Sequence, residues 1–196
     1  MTANVESRTT TLISTYWPNE QGVGWIRGIF FAFLGSLLLT VCAKIQVHVG
    51  LVPITMQTFA VLLIGAVYGW RLGGITLILY LSQGMMGSPV FAGPTAGPTY
   101  FMGPTAGFLL GLLLAAVVVG FLSERGWDRN PITLTCSLLM GNAVIYIPGL
   151  IWLQTFTGWD RVLQAGFLPF LPGDILKLIL VLLLCFLAKQ RANKYL

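Results

Sequence analysis

The chain has 196 residues, 56% of them hydrophobic and only 9% charged, against about 25% charged in a soluble domain. So few charges cannot clothe a water-facing surface, which excludes an ordinary soluble protein and points to an integral membrane protein. The net charge of +5 does not indicate nucleic acid: the basic residues are scattered, and the charge bias of membrane loops accounts for them.

Residues 1–24 are polar, with no early apolar core followed by a small-residue cleavage site, and are expected to form a cytoplasmic tail. Six apolar segments follow. The first covers 25–43, opened by Arg27 and closed by Lys44. The second, 54–70, starts after Pro53, and the third, 72–86, follows a short Gly-Trp-Arg turn. The fourth covers 104–122, the fifth 131–152 with Pro148 inside it, and the sixth 173–188, closed by Lys189 and Arg191. A spanning helix needs about 20 residues. The first, fourth and fifth segments fit; the other three are shorter. The reading is an all-α fold, a six-transmembrane-helix bundle occupying 25–190, with a second tail at 191–196.

Charge orients the bundle. With six spans, Arg8, Arg27, Arg71, Arg125, Arg129, Lys189, Arg191 and Lys194 share one side, and only Lys44, Arg161 and Lys177 lie on the other. The rule that cytoplasmic loops carry the excess of Lys and Arg puts both termini in the cytoplasm of a multi-pass protein of the cell inner (plasma) membrane. Cys42, Cys136 and Cys185 lie in apolar runs without metal or redox spacing and read as small buried hydrophobes.

Between the third and fourth segments the pentapeptide Gly-Pro-Thr-Ala-Gly occurs twice, from Gly93 and from Gly103. The loop around it, 87–103, is uncharged and carries Phe91, Tyr100 and Phe101. Such a loop is expected to lie against the protein or to line a cavity, because irregular backbone at membrane depth is tolerated only there. Pro104 is expected at the first position of the fourth helix. The alternative is that both copies are simply turns and helix starts.

Of the six acidic residues, only Asp174 is embedded in an apolar run, and Lys177 follows on the same helical face. Two readings stand. Asp174 caps a helix start after Pro-Gly while Lys177 snorkels to the surface; or the pair faces an apolar cavity and binds a polar ligand. Gln57, Gln83, Asn142 and Tyr146 are further polar groups deep in apolar runs, open to a ligand or to helix–helix bonding. His48, near a loop, reads as solvated. Gly28, Ala32, Ser36 and Thr40 recur every four residues along the first helix, a stripe for close packing against an internal neighbour or another membrane subunit. There is no Gly-Lys-Ser/Thr phosphate loop, no GxSxG and no HExxH.

The run AKIQVHVGLVPITMQTFAVLLIGAVYG, followed by YLSQGMMGSPVFAG, GPTAGFLLGLLLAAVVVGFLSERG and LPFLPGDILK, resembles BioY, the biotin-specific substrate-capture subunit of energy-coupling-factor (ECF) transporters. The resemblance runs from about residue 28 to residue 188. It implies a six-helix bundle with a biotin pocket near the extracytoplasmic face, under the loops between helices one and two, three and four, and five and six. It implies a transmembrane coupling subunit and two ATP-binding subunits as partners. The docking motif of helix one stands in this chain as Ala32-x-x-x-Ser36. On this reading the chain is no enzyme, uses no cofactor and binds no nucleic acid. Asp174 accepts the ureido N–H groups, and Lys177 meets the ureido oxygen or the carboxylate. Gln57, Gln83 or Asn142 completes the polar set. Phe91, Tyr100, Tyr146, Trp152 and Phe170 wall the ring, and Gly93 gives close-approach backbone. The rival readings are a capture subunit for another vitamin, and a membrane scaffold or enzyme that does not bind biotin.

Overall fold

The computed structural model describes residues 24–48 and 50–195; the expected tail at 1–24 lies outside them, apart from Gly24. Among these residues five helices are long and apolar enough to cross a membrane, over Trp25–Lys44, Gln57–Met85, Ala106–Glu124, Pro131–Thr157 and Leu171–Gln190. In chain order the elements are α1 (Gly24–Lys44), β1 (Gln46–Val47), β2 (Ile54–Thr55), α2 (Gln57–Met85), α3 (Pro98–Phe101), α4 (Ala106–Glu124), α5 (Pro131–Thr157), α6 (Trp159–Gly166) and α7 (Leu171–Tyr195). Helix α7 therefore runs through most of the stretch expected as the tail 191–196.

Five long helices against six apolar segments is a difference with a local cause. The second and third segments fall in one continuous element, α2, which breaks at Gly69, where φ is 79° and ψ 177°. Only glycine takes that conformation without strain. The break reverses the chain. Gln57 Nε2 donates to the Tyr80 hydroxyl at 2.8 Å, although a straight helix would hold these residues about 35 Å apart. Residues 57–68 and 70–85 are thus two antiparallel arms, turning at the Gly-Trp-Arg stretch. Each arm is shorter than a full span.

Small residues let the helices close on one another, as packing between apolar helices requires. Gly35 of α1 seats against α2, where an added methyl would come 2.7 Å from Thr76 Cγ2. Gly111 of α4 meets the α5 backbone, with Ile145 O 2.6 Å from such a methyl, and Gly120 meets the backbone of Gly69 and Trp70. Helix α5 starts cleanly because Asn130 Oδ1 accepts from Ile132 N at 2.9 Å and Pro131 follows at the first helical position. Its cysteine departs from expectation: Cys42 and Cys185 are buried, but Cys136 is exposed, because it falls on the outward face of α5.

The outside of the bundle is apolar. Ile29, Phe30, Phe33 and Leu37 of α1 and Ile179, Leu183, Phe186 and Leu187 of α7 are all exposed. In water such a belt would aggregate; against lipid it is the expected surface. The stripe on α1 turns the other way. Ala32 and Ser36 are only 2% and 1% exposed, packed within the chain, and Gly28 and Thr40 are half-buried. Of the two roles expected of the stripe, the burial of Ala32 and Ser36 fits packing against an internal neighbour.

The two ends of the bundle differ in charge. At one end Trp70 N donates to Glu124 Oε1 at 3.2 Å and Lys189 pairs with Asp128 at 2.7 Å, which gathers Arg71, Arg125, Arg129 and Lys189 together. At the other end lie Lys44, the β1–β2 pair and the loop from Met86 to Gly97. Gln46 faces Thr55 and Val47 faces Ile54 across the antiparallel pair.

Candidate functional site

The glycine-proline loop is folded against the bundle. Phe91 is fully buried and wedged onto Gly84, where any side chain would overlap its ring. Phe91 stacks on Tyr100 at 4.6 Å and meets Tyr80 and Phe101 edge-on at 5.3 and 5.4 Å. Backbone bonds hold the rest: Gly97 N donates to Gly84 O at 2.8 Å, and Lys44 Nζ donates to the carbonyls of Phe91 and Gly93 at 2.9 and 3.1 Å. The two pentapeptides do different work. In the first, Gly93 and Gly97 take φ of 76° and 79°, which turns the chain into α3 with Pro98 at its start. In the second, Gly107 lets α4 touch the α5 backbone at Pro148. Pro104 is not the first residue of a helix as expected; α4 begins at Ala106, and Pro104 lies in the turn before it.

Behind this loop lies a hollow of about 550 Å³, counted to its mouth and open to solvent, between the starts of α2, α4 and α7 and the middle of α5. Val52, Pro53, Thr55, Gln57 and Thr58 form one side, Ala92, Tyr100 and Thr105 the roof, and Phe108, Leu109, Leu112, Ile145 and Phe170 the apolar wall. Phe108 stacks against Phe170 at 6.3 Å. Burial pushes the Tyr100 hydroxyl up from its usual pKa, so it stays a neutral donor.

Asn142, Tyr146 and Asp174 make the polar pole of the hollow. Asp174 is one turn into α7, and its N–H donates to Phe170 O at 2.9 Å. Its carboxylate does not cap the helix. Lys177 Nζ donates to Oδ1 at 2.9 Å, while the Tyr146 hydroxyl and Asn142 Nδ2, the latter at 3.3 Å, donate to Oδ2. Asp174 and Lys177 are 3% and 5% exposed, so Lys177 does not snorkel. A buried ionised carboxylate needs this compensation, since a lone charge in an apolar interior is prohibitive. The remaining acceptor at the pole is Asn142 Oδ1, buried and without a hydrogen-bond partner. A buried orphan acceptor costs roughly 1–3 kcal/mol. The pole therefore leaves one acceptor open and suits a guest that brings an N–H donor.

Of the residues singled out from the sequence, Asp174, Asn142, Tyr146, Gln57 and Tyr100 come together around this hollow. Gln57 is already engaged: it donates to Tyr80 and accepts from Thr55 at 3.0 Å. Lys177 reaches Asp174 from behind and lines a separate cleft with Ile45, Val47 and Leu176. Phe91 stands behind Tyr100 and is not part of the wall. Gln83 faces α1, where Ser36 donates to it at 2.5 Å. Trp152 is 40% exposed and donates to Gly103 O at 2.9 Å on the outside of the bundle. Gly93 lines a more exterior hollow with His48. His48 itself is exposed, as expected. Sequence reasoning missed Val52, Pro53, Thr55 and Thr58 as lining residues. Their signal was the Val-Pro-Ile-Thr-Met-Gln-Thr block itself, from which only Gln57 was taken. Phe108 carried no signal, because a phenylalanine in an apolar helix looks the same whether it faces lipid or a cavity.

Comparison with known proteins bears on this site. A probable biotin transporter BioY of Pyrococcus horikoshii is 39% identical over 140 residues, covering 71% of this chain and 82% of the relative. The biotin transporter BioY2 of Lactococcus lactis subsp. cremoris is 34% identical over 168 residues, covering 83% and 91%. The crystal structure of the S-component for biotin from an ECF-type ABC transporter shares the fold with a TM-score of 0.76. It is 21% identical and covers 88% of this chain and 95% of that one. A profile described as the BioY family matches residues 9–194. With nearly its whole length inside that match, the chain belongs to the BioY family.

Proposed function

We propose that this chain captures biotin on the outer side of the plasma membrane and delivers it inward, driven by partner ATPases. The observation that carries the reading is the polar pole. A buried carboxylate stands beside Asn142, whose Oδ1 has no hydrogen-bond partner, at one end of a partly apolar hollow. Biotin is a complementary guest: its ureido ring brings two N–H donors on a compact body, and its thioether ring fits walls such as Phe108, Ile145 and Phe170. Bonds from the ureido N–H groups to Asp174 are charge-assisted and so stronger than neutral ones. Relatives named biotin transporters support the same guest.

The reading includes six membrane crossings, with residues 57–68 and 70–85 counted as two. The break at Gly69 supports it, as does the gathering of Arg71, Arg125, Arg129 and Lys189 at one end, which is expected of the cytoplasmic side. Both termini then lie in the cytoplasm, and the hollow lies near the outer face. The partners are a transmembrane coupling subunit and two ATP-binding subunits; the neighbour of the same fold is part of an ECF-type ABC transporter.

Calorimetric titration of the purified protein with biotin, desthiobiotin and riboflavin tests the reading. Tight binding of biotin with no heat from riboflavin is expected. Absence of biotin binding overturns it.

A further inference from the structure

The hollow carries a charged side chain at one pole only, and its opposite side is a shared partition. Pro53, Ala92, Tyr100 and Thr105 line both the inner hollow and a second, more exterior one of about 730 Å³ that includes His48, Gly93, Thr95 and Thr99. A guest seated against Asp174 therefore points its other end across this partition.

A carboxylate tail on that end then meets no Lys or Arg in the lining itself: among the described residues none lines either hollow. Lys177 is bound to Asp174 at the opposite pole, and Lys44 donates to the carbonyls of Phe91 and Gly93. Arg and Lys are the strongest readers of a carboxylate. The outer hollow instead offers threonine hydroxyls, backbone and exposed His48.

We propose that the site reads the ring of its guest and leaves the tail unread, so that neutral amides formed at the carboxyl group of biotin are bound by the same site. This rests on biotin as the guest. Substrates then include biotin amides extended on the tail side, such as biotin joined to a lysine side chain, while changes to the ureido ring are rejected. Rejection follows from the pole, where a methylated ureido nitrogen leaves Asn142 Oδ1 or Asp174 facing carbon.

The test is competition binding to the detergent-purified full chain with biotin, its primary amide, biotinyl-lysine and a ureido N-methyl biotin. The amide and biotinyl-lysine are expected to bind within about tenfold of biotin, and the N-methyl compound to lose about a hundredfold or more. Loss of more than about tenfold for the primary amide, with biotin itself bound, overturns the inference and leaves the biotin assignment standing. No binding of biotin overturns the assignment instead. A Thr95→Lys variant adds a cation at an exposed position of the outer hollow and should make the protein favour biotin over its amide by at least about threefold. If the variant adds no preference for biotin over its amide, the carboxylate is being read elsewhere and the inference fails.

Discussion

Replacing Asp174 with Asn separates what the ion pair does for the fold from what it does for the ligand. The side chains are nearly the same size, so packing against Tyr146 and Phe170 survives. The negative charge is lost. Lys177, 5% exposed and 2.9 Å from the carboxylate, becomes a buried cation with a neutral partner, and breaking such a pair from one side costs about 3–5 kcal/mol. Ligand binding loses a charge-assisted acceptor, which contributes about 1.5–3 kcal/mol. At about 1.4 kcal/mol per tenfold, the Kd for biotin should rise roughly 10- to 150-fold. Thermal unfolding in detergent reads the first effect and calorimetric titration the second. A double variant, Asp174→Asn with Lys177→Met, decides the issue. Removing both charges should recover much of the stability, since a well-packed neutral pair is often as stable as the ionic one, but it should not recover affinity. A Kd for Asp174→Asn within about threefold of wild type, or restored binding in the double variant, would refute the reasoning.

Other expected outcomes follow from the loop and from α1. Gly84→Ala drives a methyl into the ring of fully buried Phe91, so it should lower the unfolding midpoint, with an overpacking cost of about 1–3 kcal/mol, and weaken biotin retention through the displaced Tyr100. Lys44→Met removes both bonds to the loop carbonyls; stopped-flow release of biotin should be faster by about tenfold or more, and an unchanged release rate would show that the loop is held without Lys44. Ala32→Leu overfills the buried contact between α1 and its neighbours and should reduce thermal stability. Gly28→Leu meets nothing within 4 Å, so it should leave stability and biotin binding intact while weakening co-purification with a membrane partner. The reverse pattern would place the docking stripe on the buried side.

The tail 1–24 remains a sequence-level expectation outside the described residues. Within the bundle, membrane residence followed from composition, because a chain with 9% charged residues has few other ways to satisfy its backbone, and the apolar segments and the turn at Gly-Trp-Arg followed from the order of apolar and charged residues. Asp174 stood out for a similar reason, since a charge inside an apolar run is rare enough to single itself out. The aromatic residues of the site did not. Phe91, Trp152 and Phe108 are alike in sequence, yet one is a buried wedge, one faces outward and one is a wall. Gln57, Gln83 and Asn142 likewise shared a sequence context but found different partners, in Tyr80, Ser36 and Asp174.

Composition and the placement of charges thus determined that this is a helical membrane protein with an acid and a base set in an apolar run. The direction in which each neutral side chain points depends on how the helices rotate against one another, and glycine contacts between α2, α4 and α5 set that rotation. Only the tertiary structure, by reversing α2 at Gly69 and seating the loop through Phe91, turned a list of polar residues into one enclosed pole with Lys177 behind it.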